Sequence, residues 1–279
     1  MKMKKLISLG MAMVLSLGLV ACSGGEDKEA STSSTSDKLE QVKESGKLVV
    51  GIYPDYPPFE FHSTDSGSDE IAGVDKDLGE AIAEELGVEA EFKEITFDGL
   101  IGALKADKID IVLSGMSPTP EREKSVDFTD LYYTGKNIVA VKEGEEDKIK
   151  SVDELKNLKI AVQKGSIQEA YVTKLGCTSI KSLEAIPDVM TELKNGNVDA
   201  VVVNDTVGIL NMQEMGGLVQ ANLELPAGDS EEGMAAAVKQ DDNNKAFLEA
   251  VNKAVNNFKT NEFEKSLKEN TDLATKENK

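Results

Sequence analysis

The chain is poor in several residue types, and each scarcity closes off a class of function. It has one histidine, His62, so no site built from several imidazoles can form. Two cysteines, Cys22 and Cys177, are too few for a disulfide scaffold. Lys and Arg together number 31 against 51 acids, for a formal net charge of −20. Neutralising phosphates takes clustered Lys and Arg, so no nucleic-acid partner is expected. Arg122 is the only arginine; every other basic side chain but the histidine is a lysine. The sequence contains no Gly-x-Ser-x-Gly, His-Glu-x-x-His, Cys-x-x-Cys, Gly-x-Gly-x-x-Gly or phosphate-loop motif. No catalytic residue, metal or cofactor is therefore expected. His62, in a turn-rich acidic stretch, reads as an exposed side chain.

Apolar residues make up 40% of 279, enough for one large core or two medium lobes. The first such run, Leu6 to Ala21, follows Lys2, Lys4 and Lys5. It is shorter than the ~20 residues of a membrane span, and a basic start before a short apolar run reads as an export signal. The run ends Leu19-Val20-Ala21-Cys22, which resembles the lipobox of bacterial lipoproteins, with Cys22 as the lipidated (palmitate-bearing) first residue. Acyl chains contribute about 0.8 kcal/mol per buried CH₂ to membrane anchoring. Loss of residues 1–21 removes three lysines and takes the formal charge from −20 to −23. Residues 22–37 are polar and small, and read as a disordered tether. Cys177 is then left as a packed thiol.

The rest of the chain repeats itself. Leu104-Lys-Ala-Asp-Lys-Ile-Asp-Ile-Val112 and Leu193-Lys-Asn-Gly-Asn-Val-Asp-Ala-Val201 share a helix end, a polar turn and a strand with an early Asp. Each follows an apolar strand (Lys47–Ile52, Leu158–Gln163), a helical stretch (Asp75–Leu86, Gln168–Leu175), a short strand (Glu89–Glu94, Thr178–Ser182) and an amphipathic helix (Asp98–Ala106, Leu183–Asn195). Two strand–helix–strand–helix–strand units predict two α/β lobes. Ligands sit beyond the carboxyl ends of such strands, so two lobes would enclose one cleft. Extended runs at 137–142 and 233–238 are candidate crossovers.

The predicted strand ends carry chemistry of one kind. Ser114-Gly-Met-Ser-Pro-Thr-Pro-Glu-Arg122 reads either as an anion site or as a capped helix with a surface Arg. For a carboxylate, the planar Arg fork offers two donors that Lys cannot. Gln163-Lys-Gly-Ser-Ile-Gln-Glu169 is a Gly-Ser loop opening a helix. Tyr53-Pro-Asp-Tyr-Pro-Pro-Phe59 is a loop stiffened by proline, whose Tyr56 and Phe59 either line a cleft or plug a core. Phe97 is a similar case. Asn204 and Asp205 end the last repeated strand and either cap a helix or face a ligand.

The runs Val50-Gly-Ile-Tyr-Pro-Asp-Tyr-Pro-Pro-Phe-Glu-Phe61, Gly73-Val-Asp-Lys-Asp-Leu78, Phe97-Asp-Gly-Leu-Ile101, Gly115-Met-Ser-Pro-Thr-Pro-Glu-Arg122, Val126-Asp-Phe-Thr-Asp-Leu-Tyr-Tyr133, Ser151-Val-Asp-Glu-Leu155 and Asn195-Gly-Asn-Val-Asp-Ala-Val201 together resemble bacterial extracellular solute-binding proteins of family 3, the polar amino acid receptors of ABC importers. The resemblance spans about residues 38–258 and implies an α/β, type II periplasmic-binding-protein-like fold of two lobes on a two-stranded hinge. The expected organisation is lobe 1 over 38–137 and 234–268, lobe 2 over 138–233, and a disordered tail over 269–279. The implied function is to capture an amino acid and deliver it to permease subunits, as a non-enzymatic, monomeric lipoprotein on the extracytoplasmic face of the cell membrane, at the cell surface or in the periplasm. A cyclohexadienyl dehydratase-like enzyme and a ligand-sensing domain are the alternatives.

The resemblance also implies residue roles. Arg122 holds the ligand carboxylate, with amides at Ser117, Ser166 and Ile167. Gly115, Ser117 and an acid at the last strand's end hold the amine. Tyr56 and Phe97 sandwich the side chain, and Tyr53 and Gln163 set selectivity. Here the expected acid is Asn204, with Asp205 one place later, so either residue is a candidate. Tyr53 stands where members that bind basic amino acids carry an acid, which argues against Lys or Arg as ligand.

Overall fold

The computed structural model describes residues 37–226 and 233–277. The expected signal peptide, Cys22 and all of the tether except Asp37 lie outside the described residues. In chain order the regular elements begin with α1 (Lys38–Ser45), β1 (Lys47–Ile52), β2 (Asp55–Tyr56), β3 (Glu60–Ser63), β4 (Glu70–Ala72), α2 (Val74–Leu86) and β5 (Glu89–Glu94). Next come α3 (Leu100–Lys105), β6 (Ile111–Val112), β7 (Val126–Phe128), β8 (Tyr133–Thr134), β9 (Asn137–Lys142) and β10 (Lys159–Gln163). Then follow α4 (Ile167–Leu175), β11 (Ser179–Leu183), α5 (Ile186–Asn195), β12 (Ala200–Asn204), α6 (Asp205–Met215) and β13 (Leu218–Gln220). The chain closes with β14 (Gly233–Met234), β15 (Ala237–Lys239), α7 (Lys245–Asn261) and α8 (Phe263–Glu277).

Two five-stranded sheets repeat one plan. The first runs β5-β1-β6-β15-β7 and the second β11-β10-β12-β9-β13. In each, three strands are parallel and the remaining pairings are antiparallel. The sequence repeat has a structural reason. Asp110 Oδ2 accepts the Val49 N–H and Asp199 Oδ2 accepts the Lys159 N–H, both at 2.8 Å. Each Asp thus satisfies a backbone donor in the first half of the neighbouring strand. The turns before them also match: Asp107 and Gly196 hold equivalent places, both with positive φ (54° and 76°).

The first sheet buries Leu48, Val50 and Ile111 against Leu78 and Ile82 of α2 and Phe247 and Val251 of α7. The second buries Val139, Ile160 and Val162 with Val172 of α4. Each such side chain contributes about 1.5–3 kcal/mol. The chain passes between the sheets at β8 and returns at β14, and these two strands pair as a two-stranded hinge. The run 137–142 belongs to the second sheet and 237–239 to the first, so the crossover is shorter than either predicted run.

The tail departs from expectation. Helix α8 continues through Glu277, where disorder was expected from 269. Its inner face explains this: Asn270 Nδ2 donates to Asp77 Oδ2 at 2.8 Å, and Ala274 is buried with Phe61 and Leu210.

Candidate functional site

The strand ends converge on one narrow cleft, with about 480 Å³ of space inside it when its open mouth is included. Asp55 and Tyr56 follow β1, Ser114 to Ser117 follow β6, Gln163 to Gln168 span the end of β10 and the start of α4, and Asn204 ends β12.

Arg122 stands in the cleft wall. Nη1 donates to the Ser117 carbonyl at 2.7 Å and Nη2 to the Gly165 carbonyl at 3.0 Å, so the guanidinium touches both halves. Its Cζ lies 5.4 Å from the Phe97 ring centroid, a cation–π distance. Burial lowers its pKa to about 10, which leaves it charged at neutral pH. Two of its five N–H donors serve carbonyls and the rest are available to a carboxylate. The expected helix start at Thr119-Pro120 is a single 3₁₀ turn, Arg122–Lys124. Thr119 still behaves as a cap, its hydroxyl accepting the Arg122 N–H at 3.2 Å.

Opposite, Ser166 caps α4 by accepting the Glu169 N–H at 3.1 Å. Ile167 and Gln168 follow it in the cleft lining, and first-turn amides have no intrahelical partner. Gly165 has φ 76°, and a Cβ there would lie 2.9 Å from Asp98 Cβ, so the halves meet closely. Beside this contact Lys164 Nζ pairs with Asp98 Oδ2 at 2.7 Å.

The cleft lining includes Tyr56, Phe97, Gly115, Ser117, Arg122, Gln163, Ser166, Ile167 and Asn204, all predicted from sequence. It omits Tyr53 and Asp205. Tyr53 donates its backbone N–H to Ser114 Oγ, and its ring lies outside the lining. Asp205 points to the hinge side, where its carboxylate accepts from Tyr133 Oη, Lys136 N and Thr206 N. Of the two candidates at this strand end, Asn204 reaches the cleft. Its Oδ1 also caps α6 by accepting the Thr206 N–H at 3.1 Å.

Sequence reasoning missed the acids. Asp55 and Glu60 both line the cleft; Asp55 stands within the run singled out for its aromatics, and Glu60 directly follows it. An acid flanked by phenylalanines, as in Phe59-Glu60-Phe61, was the available signal. Acidic groups therefore reach the cleft even though position 53 is a tyrosine. Asp55 accepts from Gln163 Nε2 (3.2 Å to Oδ2) and from the Ile186 N–H (2.7 Å). Burial raises its pKa to about 7 against the pull of those donors. Glu60 is 1% exposed, and burial, then Asp75 and Asp55, push its carboxyl well above the usual range. Ser114, Asn137, Gln168, Gly233 and Met234 complete the lining.

Residues 48–270 match the bacterial extracellular solute-binding proteins, family 3. The arginine-binding extracellular protein ArtP of Bacillus subtilis is 34% identical over 274 residues, covering 95% of this chain and 97% of that protein. A probable histidine-binding protein of Campylobacter jejuni is 32% identical, with 95% and 97% covered. Among solved structures, the amino acid ABC transporter substrate-binding protein AbpA of Streptococcus pneumoniae, bound to L-arginine, superposes with a TM-score of 0.80 at 36% identity. That match covers 85% of this chain and 99% of the other.

Proposed function

Because the chain belongs to the bacterial extracellular solute-binding proteins, family 3, we propose that it captures an amino acid with a cationic side chain and delivers it to the permease of an ABC importer. The observation that carries this reading is one cleft holding Arg122 together with the acids Asp55 and Glu60. A zwitterion with a positive tail satisfies both signs, and a buried charge is tolerated only when paired. The arginine-binding relatives support the same ligand class.

In this reading Arg122 takes the carboxylate, assisted by amides at Ser117, Ser166 and Ile167. Gly115 and Ser117 meet the amine, with Asn204 as an uncharged partner. Tyr56 and Phe97 flank the side chain, Gln163 borders it, and Glu60 and Asp55 receive its positive end. Closure completes the shell and presents both lobes, as a monomer, to the permease. Cys22 anchors the protein by lipid on the extracytoplasmic face, so Cys22→Ala releases it into the soluble fraction. The dehydratase-like and sensor readings draw no support from the relatives named above.

The test is a thermal-shift screen of the purified protein against the twenty amino acids and cystine. A ligand that binds only the folded state raises its Tm. L-arginine and other cationic amino acids are expected to give the largest shifts. Shifts from neutral amino acids alone would overturn the cationic class, and no shift from any would overturn the receptor reading.

A further inference from the structure

At the floor of the cleft lie two buried carboxyl groups with no counter-charge among the described residues. Glu60, on β3, is 1% exposed, and Asp75, in the first turn of α2, is 0% exposed. The two backbones are locked together: the Asp75 N–H donates to the Phe59 carbonyl at 2.8 Å, and a Cβ on Gly73 would lie 2.8 Å from Glu60 Cα. Each carboxyl has one oxygen held by a neutral donor. Glu60 Oε1 accepts from Ser114 Oγ at 3.0 Å, and Asp75 Oδ2 accepts the Gly115 N–H at 2.7 Å. The other oxygens, Glu60 Oε2 and Asp75 Oδ1, are buried without a hydrogen-bond partner. Among the described residues no ion pair reaches either group. Asp75 from α2, Asp55 and Tyr56 from β2, the Ser114 hydroxyl after β6 and Tyr132 all act on Glu60, and Tyr132, Glu60 and the Gly115 N–H act on Asp75. Arg122 lines the same cleft but donates to carbonyls.

Two adjacent buried carboxylates cannot both ionise without a cation, because desolvation and mutual repulsion both oppose it. Of the pair, Asp75 has the backbone N–H that favours its charged form. Glu60 has only a hydroxyl, and it is Glu60 that lines the cleft. We propose that the pair holds one proton, resident on Glu60, and that a cationic ligand side chain settling against Glu60 expels that proton to solvent. Capture of a cation is then an exchange of one positive charge for another. The Glu60 O–H bond breaks, its proton passes to the buffer, and the ligand's cationic group takes its place beside the carboxylate. A neutral side chain instead meets a protonated Glu60 that keeps its proton. The pH of the medium thereby shifts the balance between cationic and neutral ligands.

The direction of the pKa shifts agrees: burial holds Asp75 at about 6 and Glu60 well above the carboxylate range. Because proton release is coupled to binding, affinity for L-arginine should rise with pH, approaching tenfold per unit below the Glu60 pKa. The inference rests on the cationic-ligand reading above, and its test separates the two.

L-arginine is titrated into the full protein by calorimetry at about pH 7, in two buffers of contrasting ionisation enthalpy. The difference in apparent enthalpy counts protons. About one proton released per arginine bound is expected from the wild type. Glu60→Gln should lower the release by about one proton, while Glu85→Gln, an exposed acid far from the cleft that pairs with Lys253, should leave it in place. Arginine binding without proton release would overturn this inference and leave the receptor reading intact. Persistence of the release in Glu60→Gln would likewise remove Glu60 as its source. Failure of arginine to bind, with a neutral amino acid binding instead, would overturn the inference and the cationic class together.

Discussion

Asp55 Oδ2 accepts the backbone N–H of Ile186 at 2.7 Å, joining the loop after β1 to the first turn of α5 across the cleft. The same carboxylate accepts from Gln163 Nε2. One side chain of the first half therefore receives donors from two elements of the second. These bonds exist only while the halves are together, so Asp55 acts on closure rather than on either core.

Replacing Asp55 by Asn tests this. The amide keeps the shape but loses the charge and offers one oxygen in place of two. Charge-assisted hydrogen bonds contribute about 1.5–3 kcal/mol each, so ligand affinity should fall roughly tenfold or more. Calorimetric affinity is the measurement, with the far-UV CD spectrum as the fold control. Unchanged affinity would remove Asp55 from the closing contact.

Arg122→Lys should be nearly as damaging as loss of the residue, despite keeping the charge. Arg122 bridges the Ser117 and Gly165 carbonyls and stacks on Phe97 with one planar group. An ammonium cannot reproduce that fork. A loss of ligand affinity of about tenfold to a hundredfold is expected, from one or two charge-assisted bonds. The Tm of the ligand-free protein should move by only a few degrees, since these contacts lie in the cleft wall rather than within a core.

The buried acids give the ligand-free protein an unusual pH response. Asp75, buried within the first half, has a pKa of about 6 when folded against an ordinary 3.8, and Glu60 beside it stands well above the carboxylate range. Between those values the folded state binds more protons than the unfolded state, so stability falls as pH rises. Exposed acids held low by lysines, such as Glu91 beside Lys47, act in the opposite sense, and only below the ordinary carboxylate range. The urea midpoint of the ligand-free protein should therefore drop between about pH 5 and 7.5, by free energies on the order of a few kcal/mol. Asp75→Asn should flatten that slope. A rising or flat wild-type profile would contradict the burial of these groups as charged species.

How much of this was legible beforehand depended on periodicity. The repeat around Asp110 and Asp199 announced two like sheets, because strand-start donors need an acceptor in both. Arg122 was legible because it is the only guanidinium, set at a strand end. Asp55 and Glu60 were not, since aromatic neighbours dominate their runs and burial of an acid leaves no mark in composition. The ordered helix over 269–277 was missed for a related reason. Its sequence is polar, and its attachment rests on Ser266 and Asn270 bonding Asp77 far away in the chain. That Asn204 and not Asp205 lines the cleft follows from the cap: Asn204 ends β12 and caps α6, so Asp205 enters the helix and turns toward Tyr133.

Gly165 offers the sharpest separation of closure from stability. Its φ of 76° is a left-handed conformation that side-chain-bearing residues adopt at some cost. A Cβ there would also sit 2.9 Å from Asp98 Cβ and 3.2 Å from Asp98 Cα, contacts across the cleft that neither atom can relieve by rotating. Gly165→Ala should thus carry a local backbone cost of about 1–2 kcal/mol and a further penalty felt only on closing. The Gly165 carbonyl that Arg122 grips would be held away from it. Ligand affinity should drop by more than the Tm shift implies, and small-angle scattering with saturating ligand should report a larger radius of gyration than the wild type. Equal loss in affinity and stability would mean that the strain is local and the two halves do not meet at this glycine.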